Sequence, residues 1–193
     1  KKHRQKTILR PNTSLSGVLW ADNSNCKAPN KEVKSVEFRQ AMSGDAEAIF
    51  QLIVRRVEWM EQKGLRQWNQ NGYLEAYPLD YFQQHIGDFW VAIQGKRIVA
   101  AAALLDQDEN WPADQPAFYL HNLVSDPDCS GAGGALLDFV EALARRQGKV
   151  ALRLDSDINN RQLGQYYEKR GFLPQGQCSD GPYYTGIMRE KAL

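Results

Sequence analysis

The chain has 193 residues, with 24 Lys or Arg against 23 Asp or Glu and a formal charge of +1, a size that suits one domain with a real core. The near-cancelling charge gives no electrostatic ground for a nucleic-acid or anionic-membrane partner, and no apolar run approaches the ~18 residues that cross a bilayer. Three cysteines, Cys26, Cys129 and Cys178, are spaced neither as metal ligands nor as a disulfide framework, which fits a reducing cytoplasm.

In chain order, residues 1–33 are rich in Lys, Asn, Ser and Pro and carry one apolar patch, Leu15, Val18, Leu19 and Trp20. They are expected to form an arm, flexible or docked through that patch, ahead of one domain over 34–193. Residues 1–6 are basic, but no apolar segment follows as a secretory signal requires. Residues 35–39 alternate as a short strand. Ser43 and Asp45 offer N-caps to a helix with Ile49, Leu52, Ile53, Val57 and Met60 on one face, stopped at Gly64. Residues 66–72 read as a loop, and Pro78 opens a short helix ending at Gly87. Residues 89–93 and 98–105, joined by Gln94, Gly95 and Lys96, form a hairpin. A polar loop over 106–116 precedes a strand over 118–124. Leu136, Phe139, Val140 and Leu143 recur at helical spacing, so Ser130, Gly131, Ala132, Gly133 and Gly134 sit at the start of a helix that ends at Gly148. A buried strand over 150–154, a helix over 160–169 closed by Gly171, and two last strands from Phe172 and Tyr183 complete the order β-α-α-β-β-β-α-β-α-β-β. The one β-α-β crossover makes its two strands parallel.

Backbone N–H groups at a helix start that carries no side chains cradle a phosphate or pyrophosphate. No Gly-Lys-Ser/Thr follows, so the Walker pattern is excluded. A dinucleotide fingerprint is a closer rival, because Asp155 ends the next strand about 20 residues on. Against it, Leu136 stands at the third glycine position, six residues (125–130) separate strand from glycine, and the preceding strands are antiparallel.

Two segments then carry a family resemblance. Residues 128–133, Asp-Cys-Ser-Gly-Ala-Gly, are similar to the Arg/Gln-x-x-Gly-x-Gly/Ala pattern of the GNAT superfamily of N-acetyltransferases, departing at Asp128. Asn160, followed by Tyr167-Glu168-Lys169-Arg170-Gly171-Phe172, resembles that superfamily's second signature, about 27 residues on. The resemblance covers about residues 35–190 and has the flavour of a bacterial subgroup. It implies an α/β fold with a central, mixed, mostly antiparallel sheet splayed at two parallel strands and flanked by helices. It implies acetyl-CoA as co-substrate, bound along Leu123, Val124 and Ser125 and by Cys129, Ser130, Gly131, Ala132, Gly133, Gly134 and Asn160. Tyr167 would then protonate the leaving thiolate, with Tyr166 beside it as a packing residue.

A histidine titrates near neutrality and suits amine deprotonation, so His121, on the strand entering the splay, is a candidate base, with Asp155 and Glu58 as others. Asn122 stands where many relatives carry an acid. Aromatic faces attract cations, so Trp59, Trp68 and Tyr73, near Arg66, Gln67 and Tyr77, are candidates for the acceptor amine, with packing as their other use. The implied activity is acetyl transfer from acetyl-CoA to a primary amine of a small molecule or peptide, with no metal. A non-catalytic acyl-CoA sensor and a homodimer remain open.

Overall fold

The computed structural model of the protein describes residues 18–20, 35–65, 72–180 and 184–193. Trp68, Arg66, Gln67, Cys26 and all of residues 1–33 except 18–20 therefore lie outside the described residues. The strands are β1 (Val18–Trp20), β2 (Val36–Gln40), β3 (Phe89–Gln94), β4 (Arg97–Leu105), β5 (Ala117–Ser125), β6 (Ala151–Asp157), β7 (Leu173–Asp180) and β8 (Tyr184–Ala192). The helices are α1 (Ala46–Gln62), α2 (Tyr73–Ala76), α3 (Leu79–His85), α4 (Ala132–Arg146) and α5 (Arg161–Lys169). Among the described residues, eight strands form one sheet in the order β1-β2-β3-β4-β5-β6-β8-β7. Only β5 and β6 pair in parallel; every other neighbouring pair is antiparallel. This is the mixed, mostly antiparallel α/β sheet that the resemblance implied, with the one parallel pair expected from the crossover.

Alternation along the strands builds two cores. On one face Ala100, Ala102, Leu120, Leu152 and Leu154 meet α4 and α5. On the other Val91, Ala101, Ala103 and Val124 meet α1 and α3. The four alanines of β4 are buried on both faces, and their small side chains let α1 and α4 both lie close to this strand. Phe139 of α4 stacks on Phe38 at 4.8 Å between ring centroids.

Four details depart from the sequence reading. Val18–Trp20 pairs with β2 as an edge strand, which alternation alone did not show in so short a segment. Tyr73–Ala76 forms a single helical turn after Gly72, whose φ is 69°. Asp45 precedes α1, but its carboxylate turns back to the Met42 N–H at 2.7 Å and to Arg39 at 2.6 Å instead of capping the helix. The β6 strand runs on to Asp157, because β8 pairs with it as far as Gly186.

The glycine-opened helix confirms a tension visible in its composition. Gly133 and Gly134 each cost a helix about 1 kcal/mol relative to alanine. Leu136, Leu137, Phe139, Val140 and Leu143 are all buried, and each stabilises by roughly 1.5–3 kcal/mol, so burial on the core face outweighs the glycine penalty. The glycines are retained for space, as the site makes plain.

Candidate active site

The site begins where the sheet comes apart. β5 and β6 pair only from Ala117 to Tyr119 and from Ala151 to Arg153. Beyond that point each strand continues, held on its outer edge by β4 or β8, while the facing edges diverge. Part of the divergence is written in the backbone of β5. Ala101 is opposite Val124, but Ala103 is opposite His121, so two residues, Asn122 and Leu123, oppose one on β4. This is a β-bulge, which bends its strand. Asn122 has φ of 52° and is the non-glycine residue with positive φ among the described residues; asparagine tolerates that conformation better than most side chains. The Tyr73 hydroxyl donates to Asn122 Oδ1 at 2.6 Å and so holds the bulge from α2. Burial first, then Tyr77 and Tyr81, push the Tyr73 phenol well above its ordinary value, so it keeps the donated proton. Tyr81 is likewise pushed up to about 12, chiefly by burial.

The last parallel pair sets which side chains face each other across the gap. Arg153 Nη1 donates to the Tyr119 hydroxyl at 3.0 Å, so both side chains lie on one face. Two residues further along each strand, on that same face by the period of two, come His121 and Asp155 on opposite banks. His121 Nε2 lies 2.7 Å from Asp108 Oδ2, a carboxylate only 6 % exposed. Asp155 Oδ2 accepts from the Tyr184 hydroxyl, and burial followed by the Asp155 charge raises that phenol. A Cβ on Gly186 would come within 2.9 Å of Asp155 Oδ2, Cys178 Sγ and the Tyr184 ring, so this bank admits nothing larger than glycine there. Burial above all lifts the Cys178 thiol to about 11, which keeps it protonated at neutral pH.

On the opposite face of the sheet, α5 carries Tyr167 into the core under α4. Its ring meets Phe172 edge-on at 5.7 Å and Tyr166 at 5.5 Å. Burial is the main force raising the Tyr167 phenol; Tyr166 and Asp155 add to it, while Arg189 and Arg170 pull the other way. Tyr166 is 38 % exposed. The two neighbours thus differ in environment, the second buried and the first at the surface.

The turn from β5 into α4 is fixed by Asp126, 2 % exposed. Its carboxylate accepts from Arg97 Nη2 at 2.6 Å and from the Asp128 N–H at 2.9 Å. Its own N–H donates to the Val99 carbonyl at 2.8 Å. Asp128 itself is exposed. Gly131 precedes α4 with φ of 90°. A Cβ on Gly133 would lie 3.3 Å from Ser125 Oγ, and one on Gly134 would lie 3.2 Å from Arg170 Nη1. The N–H groups at 133 and 134 stand ahead of any acceptor within the helix. These bare N–H groups are the candidate cradle, and the space a Cβ would take beside them is held by the Ser125 and Arg170 side chains.

The profile of the acetyltransferase (GNAT) family matches residues 53–172. The chain belongs to this family. It is therefore an acyltransferase. A Bacillus subtilis relative named uncharacterized N-acetyltransferase YesJ is 27% identical over 152 residues, 73% of this chain and 83% of that protein. Among solved structures, a GNAT-family acetyltransferase from Listeria monocytogenes has a TM-score of 0.67 at 22% identity, covering 83% of this chain and 96% of that one. The PaiA N-acetyltransferase of Thermoplasma acidophilum, crystallised with coenzyme A, has a TM-score of 0.63 at 19% identity, covering 82% and 99%. Both share the fold.

Within the acetyltransferase, several anticipated residues have other employment. Arg56 donates to the Ser125 carbonyl from Nε at 2.9 Å and to Ser125 Oγ from Nη2 at 2.8 Å, closing that end of β5, while the Leu123 side chain packs on the α4 core. Val124 and Ser125 pair with β4 on the far side. The Trp59 ring lies beneath the Arg56 guanidinium at 4.8 Å, so a cation already occupies its face. The Tyr73 hydroxyl serves Asn122, and Asn160 Oδ1 caps α5 by accepting from the Leu163 N–H at 3.1 Å. Cys129 is buried and disulfide-bonded, which corrects the expectation that the cysteines form no disulfide. The cysteine spacing carried no sign of this. Its N–H donates to the Asp126 carbonyl at 3.0 Å.

Asp108, Tyr184 and Arg56 were not anticipated. Asp108 lies in the polar 106–116 loop, and only the fold-back of that loop over β5 makes it a partner of His121. Tyr184 sits next to residues 181–183, outside the described residues. Asp155 was a minor candidate; register with His121 is what promotes it.

Proposed function

We propose that the protein is an acetyl-CoA-dependent N-acetyltransferase acting on a primary amine of a small molecule or peptide. The observation that carries this reading is the opened edge between β5 and β6, ending at the glycine-lined start of α4. The cradle fits a diphosphate: it offers N–H donors without side chains, and the helix dipole favours negative charge there. That the PaiA N-acetyltransferase, which shares the fold, was crystallised with coenzyme A supports coenzyme A use here. Bound coenzyme A would supply the acetyl thioester, and the chain's own residues handle the protons and the developing charge. His121, held by Asp108, takes a proton from the acceptor ammonium, freeing the lone pair that attacks the thioester carbonyl. Asp155 on the other bank attracts that ammonium. Backbone N–H groups along the opened β5 edge stabilise the carbonyl oxygen as it gains charge. As the new C–N bond forms and the C–S bond breaks, Tyr167, kept protonated by burial, gives its proton to the departing sulfur, and the second proton lost by the nitrogen restores the phenol.

Two measurements test the reading. A ligand that binds only the folded state raises the melting temperature by mass action, so millimolar acetyl-CoA should give a clear upward shift and NAD none. Thiol release from acetyl-CoA should then accelerate with at least one member of a panel of primary amines. Absence of the melting shift would remove the cofactor assignment; a shift without thiol release from any amine would favour an acyl-CoA-binding module. The exposed Asp128 adds a further expectation. Its negative charge stands close in sequence to the cradle, so Asp128→Arg should tighten acetyl-CoA binding by calorimetry, with a gain that shrinks at high salt. Unchanged affinity would show that position 128 does not feel the diphosphate. Among the described residues, no helix is long and apolar enough to cross a membrane.

A further inference from the structure

We propose that Arg189 is the positioning residue of the acyl-transfer site, pinning α5 to β6 and so fixing where Tyr167 sits; this deepens the reading above and rests on Tyr167 acting in acyl transfer. The need for such a device follows from the composition of α5. Its nine residues are Arg-Gln-Leu-Gly-Gln-Tyr-Tyr-Glu-Lys, and only Gly164 and Tyr167 are buried. A helix of this length is not stable alone. With one buried ring and a half-buried Leu163, no apolar stripe fixes its rotation or its position along the sheet.

The buried guanidinium does what the missing stripe cannot. Arg189, on β8 opposite Leu154 of β6, has a side chain 6 % exposed. Its Nε donates to Ser156 Oγ at 3.2 Å, and its Nη1 donates to Glu168 Oε1 at 3.0 Å. One planar fork therefore ties the sheet to the helix. Gly164, Tyr167 and Glu168 stand at i, i+3 and i+4, on one face of α5. A Cβ at Gly164 would lie 2.7 Å from Arg189 Nη2, so the guanidinium lies flat against bare helix backbone, one turn from Tyr167. At the far end of the helix Arg170 donates to the Gly134 carbonyl at 3.0 Å and pairs with Asp138, joining α5 to the first turn of α4. The helix is thus bolted on both flanks. Burying an arginine is expensive unless its donors are matched, and here the match runs to two specific partners on two elements. A planar fork fixes direction as well as distance, which a lysine ammonium cannot reproduce.

The test is a double-mutant cycle with acetyl-CoA and the panel amine of fastest thiol release. Arg189→Lys keeps the charge but cannot serve Ser156 and Glu168 together, so kcat should fall about ten- to hundred-fold, the range that a misplacement near 1 Å produces. Affinity for acetyl-CoA should stay unchanged, because the cradle lies on α4. In a Tyr167→Phe background, Arg189→Lys should have no further effect on kcat, since the group it positions is already gone. Gly164→Ala and Glu168→Gln, which displace or unpair the same guanidinium, should repeat this pattern and carry the cycle if Arg189→Lys fails to fold. If the losses from Arg189→Lys and Tyr167→Phe multiply, or Arg189→Lys turns over like the parent, Arg189 does not act through Tyr167 and the proposal falls while the acetyltransferase reading stands. If Tyr167→Phe alone leaves kcat intact, or no amine turns over, the underlying reading fails and takes this one with it.

Discussion

Tyr167→Phe is expected to lower kcat by about 10²–10⁴-fold, the contribution of a positioned proton donor, while acetyl-CoA binding stays close to that of the parent. The substitution removes one oxygen from a buried ring and leaves its edge-on contacts with Phe172 and Tyr166 in place. Burial raises the phenol above its ordinary value, so the hydroxyl is protonated at every pH where the enzyme would work, and a donor, not a base, is lost. The fall should appear equally in kcat and kcat/KM, the mark of an interaction made only in the transition state. Tyr166→Phe is the control: that ring is 38 % exposed and should turn over like the parent. A crippled Tyr166→Phe beside a healthy Tyr167→Phe would move the donor by one position. Two healthy variants would mean that thiolate departure needs no tyrosine.

Gly131→Val is expected to abolish the melting shift with acetyl-CoA. The residue has φ of 90°, a region that a β-branched side chain adopts only with strain, of order 1–3 kcal/mol. That cost is small beside the buried face of α4, so the fold should survive with a lowered melting temperature. The geometry of the cradle would not survive, since the backbone must rotate away from the left-handed region to relieve the strain and would re-aim the N–H groups after it. A variant that melts earlier yet shifts normally with acetyl-CoA would show that these donors do not hold the diphosphate.

The elements were legible because each follows from local rules. Leu136, Phe139, Val140 and Leu143 repeat at helical spacing, Gly64, Gly148 and Gly171 stop helices, and the Gln94-Gly95-Lys96 turn links two apolar runs. The parallel pair was also legible, since a lone β-α-β crossover has to make one, but the gap there was implied only by the family resemblance, and its opening depends on a bulge at Asn122. No local pattern announces that asparagine as left-handed; the signal lies in a cross-strand register and in Tyr73, 49 residues away. The same holds for Asp108 beside His121 and Arg189 beside Gly164. Each member of these pairs reads alone as an ordinary loop, strand or helix residue, and only tertiary placement makes them partners. The aromatic residues Trp59 and Tyr73 were recognised as a group for their affinity for cations, whereas folding engages one with Arg56 and the other with Asn122.

The short parallel ladder between β5 and β6 bears on the mechanics of the molecule. Three backbone-paired positions join five strands on one side to three on the other, so the sheet is two rafts meeting at a narrow seam. Cohesion across that seam falls to side chains: Arg153 reaching Tyr119 on one surface, and Arg170 joining the two covering helices on the other. Backbone ladders hold within each raft, whereas the apolar core beneath α4, which takes in Leu120 of β5 and Leu152 and Leu154 of β6, carries the joint between them together with those side-chain links. The backbone ladder of the sheet is therefore narrowest along the line where the proposed reading would seat acetyl-CoA.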